Sequence, residues 1–274
     1  MEPNAAREPL FAEERKIAIM ERVRERKKVL VHDLVDRLRV SSATVRSDLR
    51  ELEQSGLIRR THGGAIAADA AKAGFEPDSQ LKEREKIIQK RTIAAKAVEY
   101  IEEGDTVILD TGTTTLEMAK AMKDKRNVTA IVNDLEIAKC LERCPGVQVV
   151  MVGGALRRNF RCTVGPFAVH LLEGLNVDKA FLATNGFSIE KGCTTPDIAQ
   201  AEVKKTMTEV SAQVILLCDS SKMETTSFVQ FAPASRIDLI VTDGGIAPAT
   251  LAKLAAHGCE IIVANEEHKE ENQL

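Results

Sequence analysis

Aromatic residues are scarce in this sequence, which has no tryptophan, one tyrosine and eight phenylalanines among its 274 residues. Proteins that bind single-stranded nucleic acid stack bases on aromatic side chains, so this composition argues against a single-stranded partner. No apolar run approaches the ~20 residues that span a bilayer, and the charged N-terminus leads into no apolar segment typical of a secretion signal. We therefore expect a cytoplasmic protein with no membrane partner.

Motifs for metals and nucleotide cofactors are also missing. The six cysteines are scattered and no histidine is spaced to complete a zinc site, so we expect reduced, structural thiols. The sequence contains neither a G-x-x-x-x-G-K-[ST] loop nor a G-x-G-x-x-G dinucleotide fingerprint. We expect no metal and no cofactor.

Charge is nearly balanced over the whole chain but not along it. The total is −3, from 38 basic and 41 acidic side chains. Residues 15–62 carry 13 basic and 7 acidic side chains, or +6, whereas residues 67–274 carry 24 and 30, or −6. The length suggests two domains at ~100–200 residues each. A small basic module joined to an acidic bulk suits a protein whose first domain approaches a polyanion.

The N-terminal sequence has the spacing of a helix-turn-helix. Ile17, Met20 and Val23 recur at helical intervals within residues 13–26, and a short second helix is predicted at residues 32–38. A tight segment follows, and a third helix is predicted after it. Two short helices joined by a tight turn are typical of DNA-binding modules.

The predicted third helix starts near Ser42, a good N-cap residue, and runs to Gln54. Val45, Leu49 and Leu52 recur at i, i+4 and i+7 and face the core of the module. The opposite face is small, hydroxylated and basic, which suits close approach to a major groove. The DNA-contacting residues predicted on this helix are Ser42, Ala43, Thr44, Arg46, Ser47 and Arg50.

A wing is predicted after this helix, with strands at residues 57–61 and 65–66 and a tight turn between them. Its Arg59, Arg60 and His62 are candidates for contact with the sugar-phosphate backbone. The alternative interpretation is a three-helix packing unit whose basic face is only solvated.

The remainder alternates β-rich runs with helical stretches, which predicts a mostly parallel sheet covered by helices. The predicted strands are residues 106–109, 128–132, 147–152, 180–183, 214–218, 239–242 and 261–263. Ligands in such folds bind outside the carboxyl ends of the strands, so the residues that follow each strand are the candidates for a binding site.

A polar, glycine-containing loop follows the first of these strands and opens a helix. Such a loop presents backbone N–H groups and hydroxyls to a phosphate, although an ordinary βα turn has the same appearance. Its candidate ligand-binding residues are Asp110, Thr111, Gly112, Thr113, Thr114 and Thr115. Candidates from the other strand ends and neighbouring helices are Asn133, Gly153, Gly154, Asn185, Lys204 and Lys222, with Lys205 as a further cation at the rim.

Two groups of motifs resemble those of the DeoR family of bacterial transcription regulators. The first is the run Val40–Glu53 with residues 56–60 and 62–65; the second comprises residues 110–115, 153–154, 192–195, 201–204 and 219–222. Two positions depart from the family pattern. Ser47 stands where a basic residue is common, which affects the operator sequence that is read, and Gln200 stands where the family often has Glu.

The resemblance implies an N-terminal winged helix-turn-helix and a C-terminal Rossmann-like α/β sensor domain similar to the ribose-5-phosphate isomerase fold. It implies a repressor of a carbohydrate catabolism or transport operon that binds a double-stranded DNA operator and responds to a phosphorylated sugar. Because two-fold operators match dimeric proteins, we expect a homodimer or homotetramer.

The rival hypothesis is a sugar-phosphate isomerase fused to a DNA-binding module. An isomerase needs a general base near its substrate, and the isomerase family places acidic residues after a middle strand. Residues 184–188 of this chain, in the matching place, have no carboxylate, although Asp110 and Asp219 remain possible bases. We therefore expect no enzyme activity and no catalytic residue.

The predicted organisation has five parts. They are an N-terminal extension at residues 1–12, the winged helix-turn-helix at 13–67, a linker at 68–90, the sensor domain at 91–265 and a polar tail at 266–274.

Overall fold

The structure is a computed structural model that describes residues 11–26, 28–54, 57–67, 76, 82–83 and 85–265. The chain divides into two compact units, Met1–Leu81 and Lys82–Leu274. The predicted tail, most of the predicted extension and most of the predicted linker lie outside the described residues.

The N-terminal unit is a winged helix-turn-helix, as predicted. Its elements are α1 (Ala12–Arg26), β1 (Lys28–Leu30), α2 (Val31–Leu38), α3 (Ser42–Gln54), β2 (Ile58–Thr61) and β3 (Gly64–Ala67). The three strands form an antiparallel sheet in the order β1-β3-β2, so the wing has a third strand that the sequence did not predict.

The core of this unit lies between α1, α2 and α3. Val45, Leu49 and Leu52 are buried as predicted, which orients the opposite face of α3 toward solvent. On α1, Ile19 and Val23 are fully buried and Met20 is buried, whereas Ile17 is only half-buried. The buried carboxylate of Asp48 on α3 accepts two hydrogen bonds from the guanidinium of Arg15 on α1, at 2.8 and 3.1 Å. This ion pair fixes α3 against α1.

The wing is packed closely against the start of α2. A Cβ atom at Gly64 would lie 2.0 Å from the carbonyl oxygen of Val29, so only glycine allows β1 and β3 to pair there. Gly63 in the turn has φ of +88°, a backbone conformation that side chains disfavour. The amide of Val31 donates to the carbonyl of Gly63 at 2.8 Å, which ties the turn to the first residue of α2.

The C-terminal unit is built on a seven-stranded parallel sheet with helices on both faces. Its strand order is β15-β14-β12-β9-β4-β5-β6. These strands are β4 (Thr106–Leu109), β5 (Val128–Val132), β6 (Val147–Met151), β9 (Val177–Ala183), β12 (Ser211–Leu217), β14 (Leu239–Asp243) and β15 (Ile261–Ala264). Each coincides with one of the seven predicted strands.

Two apolar layers cover the two faces of this sheet. On one face the core contains residues of α4 (Ile87–Val98), α5 (Thr113–Ala121) and α6 (Leu135–Leu141). On the other it contains residues of α7 (Pro166–Glu173), α8 (Ile198–Glu209) and α9 (Pro248–Ala256). Short 3-10 turns occupy Met122–Asp124, Ser220–Lys222 and Ala234–Arg236.

Short strands lie beside the carboxyl edge of the main sheet. A hairpin is formed by β7 (Ala155–Arg157) and β8 (Cys162–Val164), and a small sheet by β10 (Gly186–Ser188), β11 (Gly192–Thr195) and β13 (Val229–Ala232). The hairpin is attached to the end of β5, because the amide of Thr163 donates to the carbonyl of Asn133 at 2.8 Å.

The start of the C-terminal unit differs from the prediction. Residues 87–90, expected in the linker, form the first turn of α4, and the unit already begins at Lys82. The helix expected to continue to about Glu102 ends at Val98. Across the described ranges, no helix has both the length and the apolar content required to cross a bilayer.

Candidate DNA-binding face and ligand site

The outer face of α3 carries the predicted DNA-contacting side chains. Ser42, Ala43, Arg46 and Arg50 are exposed, and Thr44 and Ser47 are half-buried. The cap of the helix is Ser41 rather than Ser42. Its hydroxyl accepts a hydrogen bond from the amide of Thr44 at 3.1 Å, and its carbonyl accepts from the amide of Val45 at 3.0 Å.

The wing presents its basic residues to solvent. Arg59, Arg60 and His62 are all exposed. Arg60 is tied to the end of α3, because its amide donates to the carboxylate of Glu53 at 3.0 Å and its guanidinium lies 3.9 Å from the same group. One unit therefore presents arginines from both a helix and a strand, an arrangement that fits a groove and its flanking phosphates.

The strand order of the C-terminal sheet contains a switch point between β4 and β9. From β4 the chain continues to β5 and β6 on one side, and from β9 it continues to β12, β14 and β15 on the other. Connections that diverge in this way leave a crevice at the carboxyl ends of the two central strands. The residues that follow β4 and β9 are therefore the best-placed ligand candidates.

A buried ion pair joins these two strands to α8. Lys204 is 2% exposed and Asp110 is 0% exposed, and the ammonium of Lys204 donates to the carboxylate of Asp110. The same ammonium donates to the carbonyl of Ala183 at 2.9 Å, and the amide of Ala183 donates to Asp110 at 2.9 Å. Burial raises the pKa of Asp110, while the ammonium of Lys204 and the amide of Ala183 oppose that rise.

This pairing changes the role expected for the cations. The charge of Lys204 is already matched by Asp110, so Lys204 is part of the floor of the crevice rather than an available cation. Lys205 does not lie at the rim, since it is exposed on the other side of α8, 3.7 Å from Glu209. Asp110, a possible isomerase base, is held in the same ion pair.

The phosphate-type loop packs tightly at the start of α5. A Cβ at Gly112 would lie 2.7 Å from the Cβ of Ala183, so the loop approaches β9 more closely than any other residue allows. The hydroxyl of Thr115 donates to the carbonyl of Gly112 at 2.9 Å, and Thr113 is half-exposed. The first turn of α5 therefore faces the crevice at its N-terminal, electropositive end.

Hydrogen bonds connect this loop to the end of β5. The hydroxyl of Thr111 donates to the carboxylate of Asp134 at 2.6 Å, and Asp134 in turn accepts from the amides of Glu136 and Ile137 at the start of α6. Burial raises the pKa of Asp134, and the hydrogen bond from Thr111 opposes that rise. The sequence placed both Thr111 and Asp134 at strand ends, and the structure joins them by this hydrogen bond.

Buried oxygens without a partner cluster at the same strand ends. Within the described part of the chain, no hydrogen-bond partner is found for Asp110 Oδ1, Thr114 Oγ1 or Asn133 Oδ1, all fully or almost fully buried. Asp110 and Asn133 follow paired residues of adjacent parallel strands, so their side chains lie on the same face of the sheet. The amide nitrogen of Asn133 donates to the carbonyl of Thr163 at 3.0 Å, which leaves its oxygen to accept.

A polar chain continues across the crevice to the β7–β8 hairpin. The hydroxyl of Thr195 lies 3.2 Å from Asn185 Oδ1 and 3.1 Å from Gln200 Oε1. Arg157 donates to Gln200 at 3.3 Å and lies 3.3 Å from Asp197. Sequence reasoning missed Arg157, because nothing in its local pattern shows that the hairpin folds back to α8.

Three predicted residues lie apart from this network. Gly153 and Gly154 are exposed and connect β6 to the hairpin, and Gly154 approaches it closely, since a Cβ there would lie 2.7 Å from the carbonyl of Val164. Lys222 lies 3.5 Å from Asp219 at the end of β12. The structure thus brings together the loop after β4, Asn133, Asn185 and Lys204, with Lys222 at a neighbouring strand end.

Models of two DeoR domains match the chain. The DeoR-like helix-turn-helix domain matches residues 15–71, and the DeoR C-terminal sensor domain matches residues 85–244. A partial likeness to ribose 5-phosphate isomerase A from Neisseria gonorrhoeae has a TM-score of 0.38 and 19% identity over 50% of this chain and 53% of that one, too weak to support a conclusion.

Similar proteins match over almost their whole length. The HTH-type transcriptional regulator GlpR of Haloferax volcanii is 39% identical over 249 residues, which cover 91% of this chain and 96% of GlpR. The putative aga operon transcriptional repressor of Escherichia coli O157:H7 is 36% identical over 253 residues, 92% of this chain and 94% of that protein. These relatives are named regulators, which confirms the interpretation of a regulator rather than an enzyme. The chain belongs to the DeoR family of transcriptional regulators.

Proposed function

We propose that the protein is a repressor of a carbohydrate catabolism or transport operon and that a phosphorylated sugar bound in the C-terminal unit controls its affinity for the operator. The observation that carries the proposal is the crevice between β4 and β9. A tight threonine-rich loop opens α5 there, beside buried acceptor oxygens of Asp110 and Asn133.

The two parts of this crevice suit the two parts of a sugar phosphate. Backbone N–H groups at a helix N-terminus favour a phosphate, and the half-exposed Thr113 adds a hydroxyl. The unpartnered oxygens of Asp110 and Asn133 accept hydrogen bonds, which the hydroxyl groups of a sugar supply. A buried acceptor left without a donor costs about 1–3 kcal/mol, so hydroxyl groups that donate to these oxygens would stabilise a bound sugar.

The DNA-binding part of the proposal depends on the exposed arginines of α3 and the wing. Arg46 and Arg50 are placed to contact base edges or phosphates, and Arg59 and Arg60 the backbone beside them. One winged unit makes few contacts, so we expect two copies on a two-fold operator, in a homodimer or homotetramer assembled through the larger unit. The relative from Escherichia coli is named a repressor, which supports repression over activation.

The first test measures binding of the full chain to DNA from upstream of its own gene by fluorescence anisotropy at physiological salt. Arg46→Ala is expected to weaken binding roughly 5- to 150-fold, because a base or phosphate contact of ~1–3 kcal/mol is lost. The control is Arg143→Ala, which removes an exposed arginine from the C-terminal unit. Equal binding by Arg46→Ala and the wild type would refute the assignment of α3.

The second test adds a panel of sugar phosphates to the complex of protein and DNA. One of them is expected to release the DNA from the wild type but not from Thr113→Glu. The added carboxylate occupies the phosphate position and repels the phosphate group. Gln148→Glu on the exposed side of β6 adds the same charge far from the loop and is expected to respond like the wild type. A normal response from Thr113→Glu would contradict the site.

A further inference from the structure

Helix α7 has an exposed apolar face. Phe167 and Leu171 lie one helical turn apart, and they are 81% and 38% exposed. Ala168 and Leu172, on the side of the helix that faces the sheet, are fully buried in its core. One apolar face thus anchors α7, and a second is presented to solvent where an amphipathic surface helix has polar side chains.

Two further exposed apolar residues, Leu156 and Ile198, lie beside this face. Leu156 is on the side of the β7–β8 hairpin that faces α7, because Gly154, two residues earlier, is on that side: a Cβ there would lie 3.3 Å from the Cβ of Ala168. Ile198 is the first residue of α8, which packs along α7. Both helices lead into strands of the sheet, so both begin at its carboxyl edge. We call Leu156, Phe167, Leu171 and Ile198 the α7 patch.

The α7 patch has the area of the apolar part of a protein interface. A large side chain buries about 150–250 Å² when it is fully covered, so the exposed fractions of the four residues amount to roughly 400 Å². A standard interface buries about 800 Å² per partner, of which roughly 450 Å² is apolar. The α7 patch therefore suits another protein surface rather than a small ligand.

The charges on α7 favour a second copy of the chain as that surface. A two-fold axis brings each residue close to its own copy, so a face with one sign of charge repels itself. Residues 166–172 contain no Asp, Glu, Lys or Arg. The flanking His170 and Glu173 lie 3.6 Å apart and are both exposed, so each copy offers one ring nitrogen and one carboxylate to the other.

Gly174, at the end of α7, provides room for the aromatic ring of the patch. Its φ is −82°, which any residue adopts, and a Cβ there would meet only the carbonyl oxygen of Leu171, at 3.9 Å. Its own chain therefore does not require glycine at this position. When two copies of α7 pair antiparallel with residues 170 and 171 at the axis, residue 167 of each lies opposite residue 174 of the other.

We propose that the α7 patch is an interface between two copies of this chain, which pair α7 against α7 about a two-fold axis. The pairing places the ring of Phe167 over Gly174 of the second copy and covers Leu156 and Ile198 at its margins. That a dimer is needed rests on the proposed function, whereas the position of the interface rests on the patch itself. The pairing holds two DNA-binding units in one assembly, as a two-fold operator requires.

The experiment measures the mass of the full chain by sedimentation velocity at micromolar concentration, without DNA or sugar phosphate. The wild type is expected to be a dimer or tetramer, and Phe167→Glu to have half that mass or less. Its dissociation constant is expected to rise at least about 30-fold, because a carboxylate replaces the largest apolar side chain of the interface. The matched control is Ile88→Glu, which adds the same charge at a 56% exposed residue of α4, on the other face of the sheet, and is expected to keep the wild-type mass.

A second variant tests the packing without adding charge. Gly174→Gln has room for its side chain within its own chain, so weaker assembly would come from the second copy. Its dissociation constant is expected to rise about tenfold or more, because the new side chain takes the place of the Phe167 ring. Far-UV circular dichroism of both variants is expected to match the wild type, since Phe167 and Gly174 are exposed.

The outcomes distinguish this interface from the proposed function. A monomeric wild type, wild-type mass for Phe167→Glu, or equal dissociation by Ile88→Glu overturns the interface. So does a monomer whose single thermal transition is split in two by Phe167→Glu, which would place the N-terminal unit of the same chain on the patch. If Phe167→Glu halves the mass but binds operator DNA like the wild type, the interface stands and two-fold operator binding fails. If Phe167→Glu keeps the wild-type mass and a sugar phosphate still releases its DNA, the proposed function stands and the interface fails.

Discussion

Lys204→Met tests the buried ion pair at the floor of the crevice. The substitution keeps the length of the side chain but leaves the carboxylate of Asp110 fully buried without its ammonium partner. Removal of one partner of a buried pair costs about 3–5 kcal/mol, because the remaining charge stays desolvated. For a unit of this size, 1 kcal/mol shifts the melting temperature by roughly 2–4 °C, so we expect a loss of about 6–20 °C.

The assay is thermal unfolding of the full chain, supported by urea denaturation. Lys205→Met, the adjacent residue on the exposed side of α8, is the matched control and is expected to change stability by less than about 0.5 kcal/mol. Asp110→Asn combined with Lys204→Met is expected to cost less than the sum of the two single changes, because the pair is removed as a unit.

The pH dependence of Lys204→Met provides a second check. Burial raises the pKa of Asp110, and without the ammonium that opposes the rise the folded variant binds a proton that the unfolded chain releases. Its stability should therefore decrease as the pH rises above the ordinary pKa of aspartate. A loss below about 1 kcal/mol with no such pH dependence would show that the two side chains do not form a buried ion pair.

Three further changes test other parts of the structure. Gly64→Ala is expected to destabilise the N-terminal unit by about 1–3 kcal/mol in thermal unfolding, because the added Cβ meets the Val29 carbonyl. Gly153→Ala, whose Cβ meets nothing within 4 Å, should be neutral, and equal effects of the two substitutions would contradict the packing of the wing. Burial lowers the pKa of Lys90, in the first turn of α4, to about 8, so wild-type stability should rise between about pH 8 and 10 by up to about 3 kcal/mol, because the unfolded chain binds the proton that Lys90 loses. Lys90→Met should lack this rise in urea denaturation. Arg15→Met leaves the carboxylate of Asp48 buried without its partner and should lower the free energy of unfolding by about 3 kcal/mol or more. Arg22→Met, in the exposed pair with Glu25, should lower it by less than about 1 kcal/mol, and similar losses would show that Arg15 does not hold α3 against α1.

The main sheet was predictable because each of its strands contains a run of apolar residues. The seven runs of branched apolar residues coincide with β4, β5, β6, β9, β12, β14 and β15, since strands buried on both faces are apolar throughout. The strands β1, β7, β8, β10, β11 and β13 contain no comparable apolar run and depend on contacts made elsewhere in the fold. Ile17 is only half-buried while Ile19 is fully buried, a difference that helical spacing alone did not predict.

The candidate site was predictable only where it follows strands directly. The Asp110–Thr115 loop, Asn133 and Asn185 are at strand ends, so the position of the sheet places them. Arg157 reaches the same edge from a hairpin, and in the sequence it looks like a solvated surface charge. Likewise, spacing does not distinguish the buried Lys204 from the exposed Lys205, since adjacent residues of a helix point in directions about 100° apart.

The hydrogen bond from Val31 to Gly63 has an entropic consequence for DNA binding. It links the tip of the wing to the first residue of α2, while β1 links the other side of the wing sheet to α1. The wing is therefore already ordered before it meets DNA, and little conformational freedom is lost on association. A wing pre-organised in this way makes its arginine contacts without first closing a loop. Substitutions at Arg59 and Arg60 should therefore mainly change the dissociation rate, while the association rate is set mainly by long-range electrostatic attraction.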